Sequence, residues 1–395
     1  MDYSPFPALY CRAMLCKRGA EGMTNDMNRQ QDRPTTSTFS DSDTDAMNEE
    51  QLLLDPYLQL DNATKPFSAA VQQLLKELIA QMRAALPEIM STHIARPRRI
   101  LVVSSGWGGM HIAGRAGLVL FWREVARRYG SCQFDEWYQP ESAIDASLLQ
   151  QYDAVILNNL WGMEHSEWGH ESESFYNESL PAYVAAGGGL FALHSAALMG
   201  SYYSSESGKA PRLTCDPRFD EYRKMLGGYG MMHPEHSCDP LPFEILEPAH
   251  PLMTAFAGES APCTVTYFSP QRDLHEFHCW PVALRPPMEL ADELYVFSPD
   301  SNADHSVRVL LRIDEANLPA DVVFPSDATP FSYAMIWVKR YGTGRVYYNQ
   351  FGHFPTIFSL PCIARSLLDG LLYVTGDLIA DDSPSALVAC PSHIV

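Results

Sequence analysis

From Arg99 onward the chain alternates short runs rich in β-branched residues with amphipathic stretches, and this rhythm limits its fold more than any other feature. RRILVVSS leads into the glycine-rich GWGGMHIAGRAG and the helical pattern LVLFWREVARRYG, which stops at Gly130. The same order returns with QFDEW and the helical ASLLQQ, then with DAVILNN, a long polar loop and the helical SFYNESLPAYVAAGGG, and finally with GLFALH. Strand-like runs separated by helices predict an α/β fold: a doubly wound, mostly parallel sheet flanked by helices. Beyond Ser195 the pattern loosens into Pro-rich loops between PFEILE, TVTYF, ADELYVFS, VRVLLRI and YAMIWVKRYGTGRVYYNQFG, followed by a last helix, CIARSLLDGLLYVTG. These read as extra, partly antiparallel strands at the sheet's edge.

The flanks differ in character. Residues 1–50 form a leader poor in large apolar groups from Met23 onward, which cannot bury enough surface to offset the cost of ordering and is expected to be disordered. Residues 51–97 form a helical extension: Val71, Leu74, Leu75, Leu78, Ile79, Met82 and Leu86 recur at spacings of three and four, the mark of one packing face. The α/β domain is expected over 98–378, with 379–395 as a tail.

Charge and cysteine usage narrow the partners. Against 48 Asp and Glu stand 28 Lys and Arg, a net charge of -20, which repels phosphate backbones and anionic lipid surfaces. Neither nucleic acid nor a membrane is expected as a partner, and no apolar run reaches the roughly 18 residues of a spanning helix. The 9 cysteines are scattered without a C-x-x-C pair, so neither a zinc ribbon nor a disulfide framework is signalled and a cytoplasmic, reducing location is expected.

In an open parallel sheet, ligands bind outside the carboxyl ends of the strands. The first such loop, Gly106 to His111, lacks the G-x-G-x-x-G spacing, which disfavours a nicotinamide cofactor. At the end of GLFALH, His194 followed by Ser195, Ala196 and Ala197 has the shape of a strand-to-helix elbow, but no cysteine or serine stands at its apex. Serine-hydrolase and cysteine-amidase chemistry therefore lose their nucleophile. His353 follows RVYYNQFG and should leave the sheet at a strand end. In ADELYVFS, strand alternation would put Glu293 and Tyr295 on one face, with Asp292 and Leu294 on the other. His233 and His236 share a Pro-broken loop, His275 and His278 are a pair without a third ligand, and His250 in AHP reads as structural. Taken singly, each of these residues also has an ordinary reading as a surface or hydrogen-bonded core group.

Taken in order, the motifs GGGLFALHSA, LGGYGMMHPEH, AHPL, ADELYVFS and YGTGRVYYNQFGHF resemble the trehalose-utilisation (ThuA-like) family over residues 99 to 378. The resemblance implies the class I glutamine amidotransferase-like fold, related to flavodoxin-like sheets, with His111, His194, His233, Glu293 and His353 at the family's recurrent polar positions. His194 stands where an amidotransferase would carry its cysteine. Carbohydrate metabolism is implied, with a disaccharide, glycoside or keto derivative as substrate. On that reading His194 is the general base, His111 and His353 position or polarise the substrate, and Glu293 orients an imidazole or acts as acid. Trp107, Trp161 and Tyr295 supply stacking surface and His233 a further contact. No cofactor is certain, although imidazoles with a carboxylate suit a divalent metal such as zinc. A non-catalytic sugar-binding or protein-interaction module is the alternative, and self-association into a homo-oligomer stays open.

Overall fold

The computed structural model describes residues 37–38, 69–88, 94, 96–105, 112–139, 141–160, 172–204, 212–232, 240–256, 263–268, 277–282, 288–298, 306–320, 322, 324 and 328–385. Apart from Ser37 and Thr38, the expected leader lies outside them. Among the described residues ten strands make the main sheet: β1 (Ser37–Thr38), β2 (Arg98–Val103), β3 (Cys132–Trp137), β4 (Ala154–Asn158), β5 (Gly189–Leu193), β6 (Pro240–Ile245), β7 (Met288–Ala291), β8 (Arg308–Ile313), β9 (Ala334–Tyr341) and β10 (Gly344–Asn349). Their spatial order is β1-β3-β2-β4-β5-β10-β9-β8-β6-β7. The strands β3, β2, β4, β5 and β10 pair in parallel, and β9, β8, β6 and β7 continue the sheet antiparallel. Among the parallel strands, order of appearance runs 2-1-3-4-5 across the sheet, which puts the reversal of winding between β2 and β4.

Alternate side chains of the parallel strands serve opposite faces, as the two-residue period of a strand requires. Ile100, Val102, Ile156, Phe191, Leu193 and Tyr347 pack toward α1 (Ala69–Ala85), α2 (Ile112–Tyr129) and a long helix near the carboxyl end, Pro361–Thr375. Leu101, Val103, Val155, Leu157, Leu190, Ala192, Val346 and Tyr348 face the other way. They meet α3 (Ala146–Leu149), α4 (Leu180–Ala185) and α5 (Asp220–Leu226). With Pro361–Thr375 as α6, three helices cover each face among the described residues, and strands buried on both sides explain the nearly continuous apolar runs. Among the described residues no helix is long and apolar enough to cross a membrane.

Of the predicted stripe, Leu75, Leu78 and Met82 on α1 and Leu86 just past its end are buried and Ile79 is partly buried, whereas the side chains of Val71 and Leu74 lie outside the described residues. Arg83 clamps α1 to α2 through two hydrogen bonds to Glu124, of 2.9 and 3.0 Å. The described part of the tail docks on the domain. Asp381 O accepts from His250 Nε2 at 2.9 Å, and Arg308 donates to Ser383 O at 2.9 Å. The structural reading of His250 is borne out by its second nitrogen, which accepts from the Leu252 amide at 3.3 Å.

Two expectations need correction. The hairpin β9–β10 is not edge decoration, because β10 pairs parallel with β5 and is the fifth strand of the parallel block. Residues 292–295 are not a strand either: they connect β7 to the short strand Val296–Phe297, which pairs with Gly230–Met232.

Candidate functional site

The chain turns sharply where β5 ends. His194 has φ +46° and opens a short 3₁₀ turn, His194–Leu198, which is the predicted elbow. Asn159, one residue beyond the neighbouring β4, has φ +51°. Left-handed backbone at residues other than glycine costs of order 1 to 3 kcal/mol and collects at functional sites. Here it occurs at adjoining strand ends, each braced by a hydrogen bond from outside the turn. Tyr348 on β10 donates its hydroxyl to His194 O at 2.8 Å, and Asn159 Nδ2 donates to Gly352 O at 2.8 Å.

The His194 ring is fully buried. Its Nδ1 lies 2.8 Å from Gln350 O, and because a carbonyl can only accept, Nδ1 carries the proton. In the neutral ring Nε2 is then the acceptor. It lies 2.9 Å from the Tyr295 hydroxyl and 3.3 Å from Glu293 Oε2. Burial, reinforced by the Glu293 charge, pushes the Tyr295 phenol well above its ordinary pKa, which keeps it a donor. Glu293 Oε2 also lies 2.9 Å from His353 Nδ1 and 3.3 Å from the Tyr295 hydroxyl. One carboxylate oxygen thus stands among two imidazoles and a phenol drawn from three distant segments.

The loop carrying His353 is tied down by Asp292, which the sequence reading only placed on the opposite face from Glu293. Its fully buried carboxylate accepts from the backbone N–H groups of Gly352 at 2.6 Å, His353 at 3.4 Å and Phe354 at 3.2 Å. Burial pushes its pKa up, opposed by the nearby His194 and His353 and by these amides. The Gln350 side chain fixes Tyr295 by accepting from its N–H and donating to its carbonyl, both at 3.2 Å. Gly114, in the first turn of α2, lies against the same loop: a Cβ there would overlap Gly352 O and approach His353 O to 2.7 Å. For His353 itself, burial lowers the imidazole pKa, but the charges of Glu293 and Asp292 outweigh it and the net shift is upward.

Of the residues expected at the site, the structure brings together His194, Glu293, Tyr295 and His353. Trp107, His111, Trp161 and His233 lie outside the described residues. Exposure divides the four unequally, with the His353 and Glu293 side chains 25% and 16% exposed and His194 at 0%. A ligand at this rim meets His353 and Glu293 first, with His194 and Tyr295 behind them. Among the described residues, His194, Glu293 and His353 are the group of three whose ligand atoms lie close enough for one metal ion, all within 4.8 Å of one another. Ser195 is fully buried, so it presents no nucleophile at the elbow.

A second polar cluster supports the rim at the reversal between β2 and β4. Buried Glu141 accepts from Ser105 Oγ and Ser172 Oγ at 2.7 Å and from the Tyr176 hydroxyl at 3.0 Å. Buried Arg115 donates to Asn159 O at 3.0 Å, and Asn158 Nδ2 bonds Ser104 Oγ at 2.8 Å and Arg115 O at 3.0 Å. Burial lowers the Arg115 pKa to about 10, with Glu141 and Tyr176 opposing the shift. Asn159, Gln350, Tyr348, Arg115 and Glu141 escaped the sequence reading. Only Asp292 and Gln350 sit inside quoted motifs close enough to His353 or Glu293 to have been noticed.

Solved structures with similar folds include a ThuA-like protein from Bacteroides uniformis at 18% identity, covering 72% of this chain and 94% of that one with a TM-score of 0.47. A ThuA-like protein from Parabacteroides merdae is 16% identical, with 75% and 97% covered and a TM-score of 0.38. A cytoplasmic protein from Salmonella typhimurium is 12% identical, with 70% and 98% covered and a TM-score of 0.36. Among curated proteins none matches. The family model described as trehalose utilisation, ThuA, matches residues 99–374, and the chain belongs to that family.

Proposed function

We propose that this chain is a carbohydrate-metabolism enzyme that acts on a disaccharide, a glycoside or its keto derivative at the rim formed by His194, Glu293, Tyr295 and His353. The observation that carries the reading is the convergence of these four side chains, from segments up to 159 residues apart, on a single carboxylate oxygen at the carboxyl ends of the parallel strands. Imidazoles, a carboxylate and a phenol in one network are the groups that exchange protons with a sugar hydroxyl or with a carbon beside a carbonyl. His353 and Glu293 face the substrate, while His194 and Tyr295 hold the network from behind. His111 and His233 act with them, and Trp107 and Trp161 provide stacking surface. The elbow offers an imidazole where an amidase needs a thiol, which argues against glutaminase chemistry.

The proposal sets the activity in the cytoplasm, in keeping with the 9 scattered cysteines and the absence of a C-x-x-C pair in the sequence. It names a carbohydrate as partner, with neither nucleic acid nor membrane. The test is to incubate purified chain with trehalose and related disaccharides, and with their keto forms, and to follow products by NMR. Product formation that is lost in H353Q and E293Q is expected. Binding without turnover, unchanged in H194N, would instead establish a sensing or carrier module.

A further inference from the structure

We propose that His194, Glu293 and His353 form a binding site for a divalent transition-metal ion, zinc by ligand class, with a coordination position open toward the substrate side. The inference rests on the reading of this rim as a carbohydrate site and gives that site a metal centre.

The donor set is right in kind. Two imidazole nitrogens and one carboxylate are the ligands of many open, catalytic zinc sites. The spacing is close to what such an ion needs. Zinc bonds of about 2.0 to 2.2 Å place neighbouring ligand atoms roughly 3.3 Å apart in a tetrahedron. Glu293 Oε2 lies 3.3 Å from His194 Nε2 and 2.9 Å from His353 Nδ1, and the three donor atoms fall within 4.8 Å of one another.

The surroundings prepare these atoms for coordination. His194 turns its Nδ1 to the Gln350 carbonyl at 2.8 Å, which fixes the proton there and aims the Nε2 lone pair at Glu293. A ligating histidine is usually oriented by such a bond from its other nitrogen. The Asp292 carboxylate, bound to three successive amides, fixes the backbone from which His353 projects and adds a second negative charge beside the imidazoles. The Tyr295 hydroxyl, 2.9 Å from Nε2, is the group that an ion displaces, and Glu293 Oε2 at 3.3 Å is the acceptor it keeps. His194 closes the centre from inside, while the part-exposed His353 and Glu293 leave its outer side accessible. An ion held there supplies Lewis acidity toward a sugar carbonyl or hydroxyl.

The experiment uses tag-free full-length protein stripped with a chelator and titrated with Zn²⁺ by calorimetry and with Co²⁺ by visible absorption. About one ion per chain, the ligand-field bands of Co²⁺ bound by nitrogen and oxygen, and a Zn²⁺-dependent rise in melting temperature are expected. E293Q and H353Q, checked for folding by near-ultraviolet circular dichroism, should weaken Zn²⁺ binding by about 100-fold or more. Absence of stoichiometric binding, or unaltered binding by the folded E293Q/H353Q double variant, would overturn the assignment. The two proposals separate cleanly. A stripped chain that binds no Zn²⁺ yet turns over sugar removes the metal and keeps the enzyme, whereas a chain that binds Zn²⁺ through these residues yet leaves every sugar intact keeps the metal and removes the enzyme.

Discussion

Replacing Gly114 with Ala sets two effects of opposite sign against each other. Gly114 is the third residue of α2, where exchanging glycine for alanine alone should stabilise the helix by up to about 1 kcal/mol. The structure opposes that gain. A Cβ would overlap the Gly352 carbonyl oxygen and come within 2.7 Å of the His353 carbonyl oxygen and 2.8 Å of Asn159 Nδ2. Two of those atoms are backbone, and the third already donates to Gly352 O, so none can swing away as a flexible side chain would. Overpacking of this kind costs about 1 to 3 kcal/mol, and the bond from Asn159, if broken, adds roughly 1 kcal/mol. The expected net result for G114A is a loss of about 1 to 3 kcal/mol in urea-induced unfolding. Because the displaced segment carries His353, Zn²⁺ affinity should fall as well. A variant more stable than wild type, as helix propensity alone would have it, would refute the packing of α2 against residues 352–353.

Three further outcomes follow from named contacts. D292N should lose about 2 kcal/mol, because an amide cannot accept from three N–H groups with both of its atoms, and chemical denaturation measures this; an unchanged midpoint would mean that the carboxyl is not what holds the loop. Y295F removes the donor facing His194 Nε2 inside the core and should cost about 1 to 2 kcal/mol, whereas a neutral result in thermal unfolding would separate the phenol from the network. For Glu124, burial raises the carboxyl pKa, but Arg83 and Arg127 outweigh it and hold it below the ordinary value. A depressed folded-state pKa contributes stability above the unfolded pKa that is lost as pH falls through the folded one. Wild type should therefore exceed E124Q by about 1 kcal/mol near neutrality, with the gap closing in strong acid, and a gap that widens on acidification contradicts the clamp between α1 and α2.

Much of this molecule is legible from local pattern. The apolar runs of β2, β4 and β5, the stripe on α1 and the start and stop of α6 depend on neighbours within a few residues, so periodicity and capping residues report them directly. The elbow at His194 is visible for the same reason, as an apolar strand followed at once by small residues. Glu293 and Tyr295 do lie together, with the phenol 3.3 Å from the carboxylate, although 292–295 is not a strand. The place of β10 was not legible: its antiparallel partner β9 is next in sequence, but its parallel partner β5 lies more than 150 residues away, and nothing local states that pairing.

The same division runs through the site. Residue chemistry singles out His194, Glu293, Tyr295 and His353, since imidazole, carboxylate and phenol are scarce and fall at segment ends. Their mutual distances, and the work of Asp292, Asn159, Gln350 and Tyr348, were decided only by the tertiary structure. Those four act largely on the backbone of remote segments, through hydrogen bonds as distant in sequence as the 193 residues between Asn159 and Gly352. Side-chain identity states what a group can do. Which group stands 3 Å away is set by how the sheet is ordered and how its strand ends are tied, and that ordering comes from the burial of the whole core.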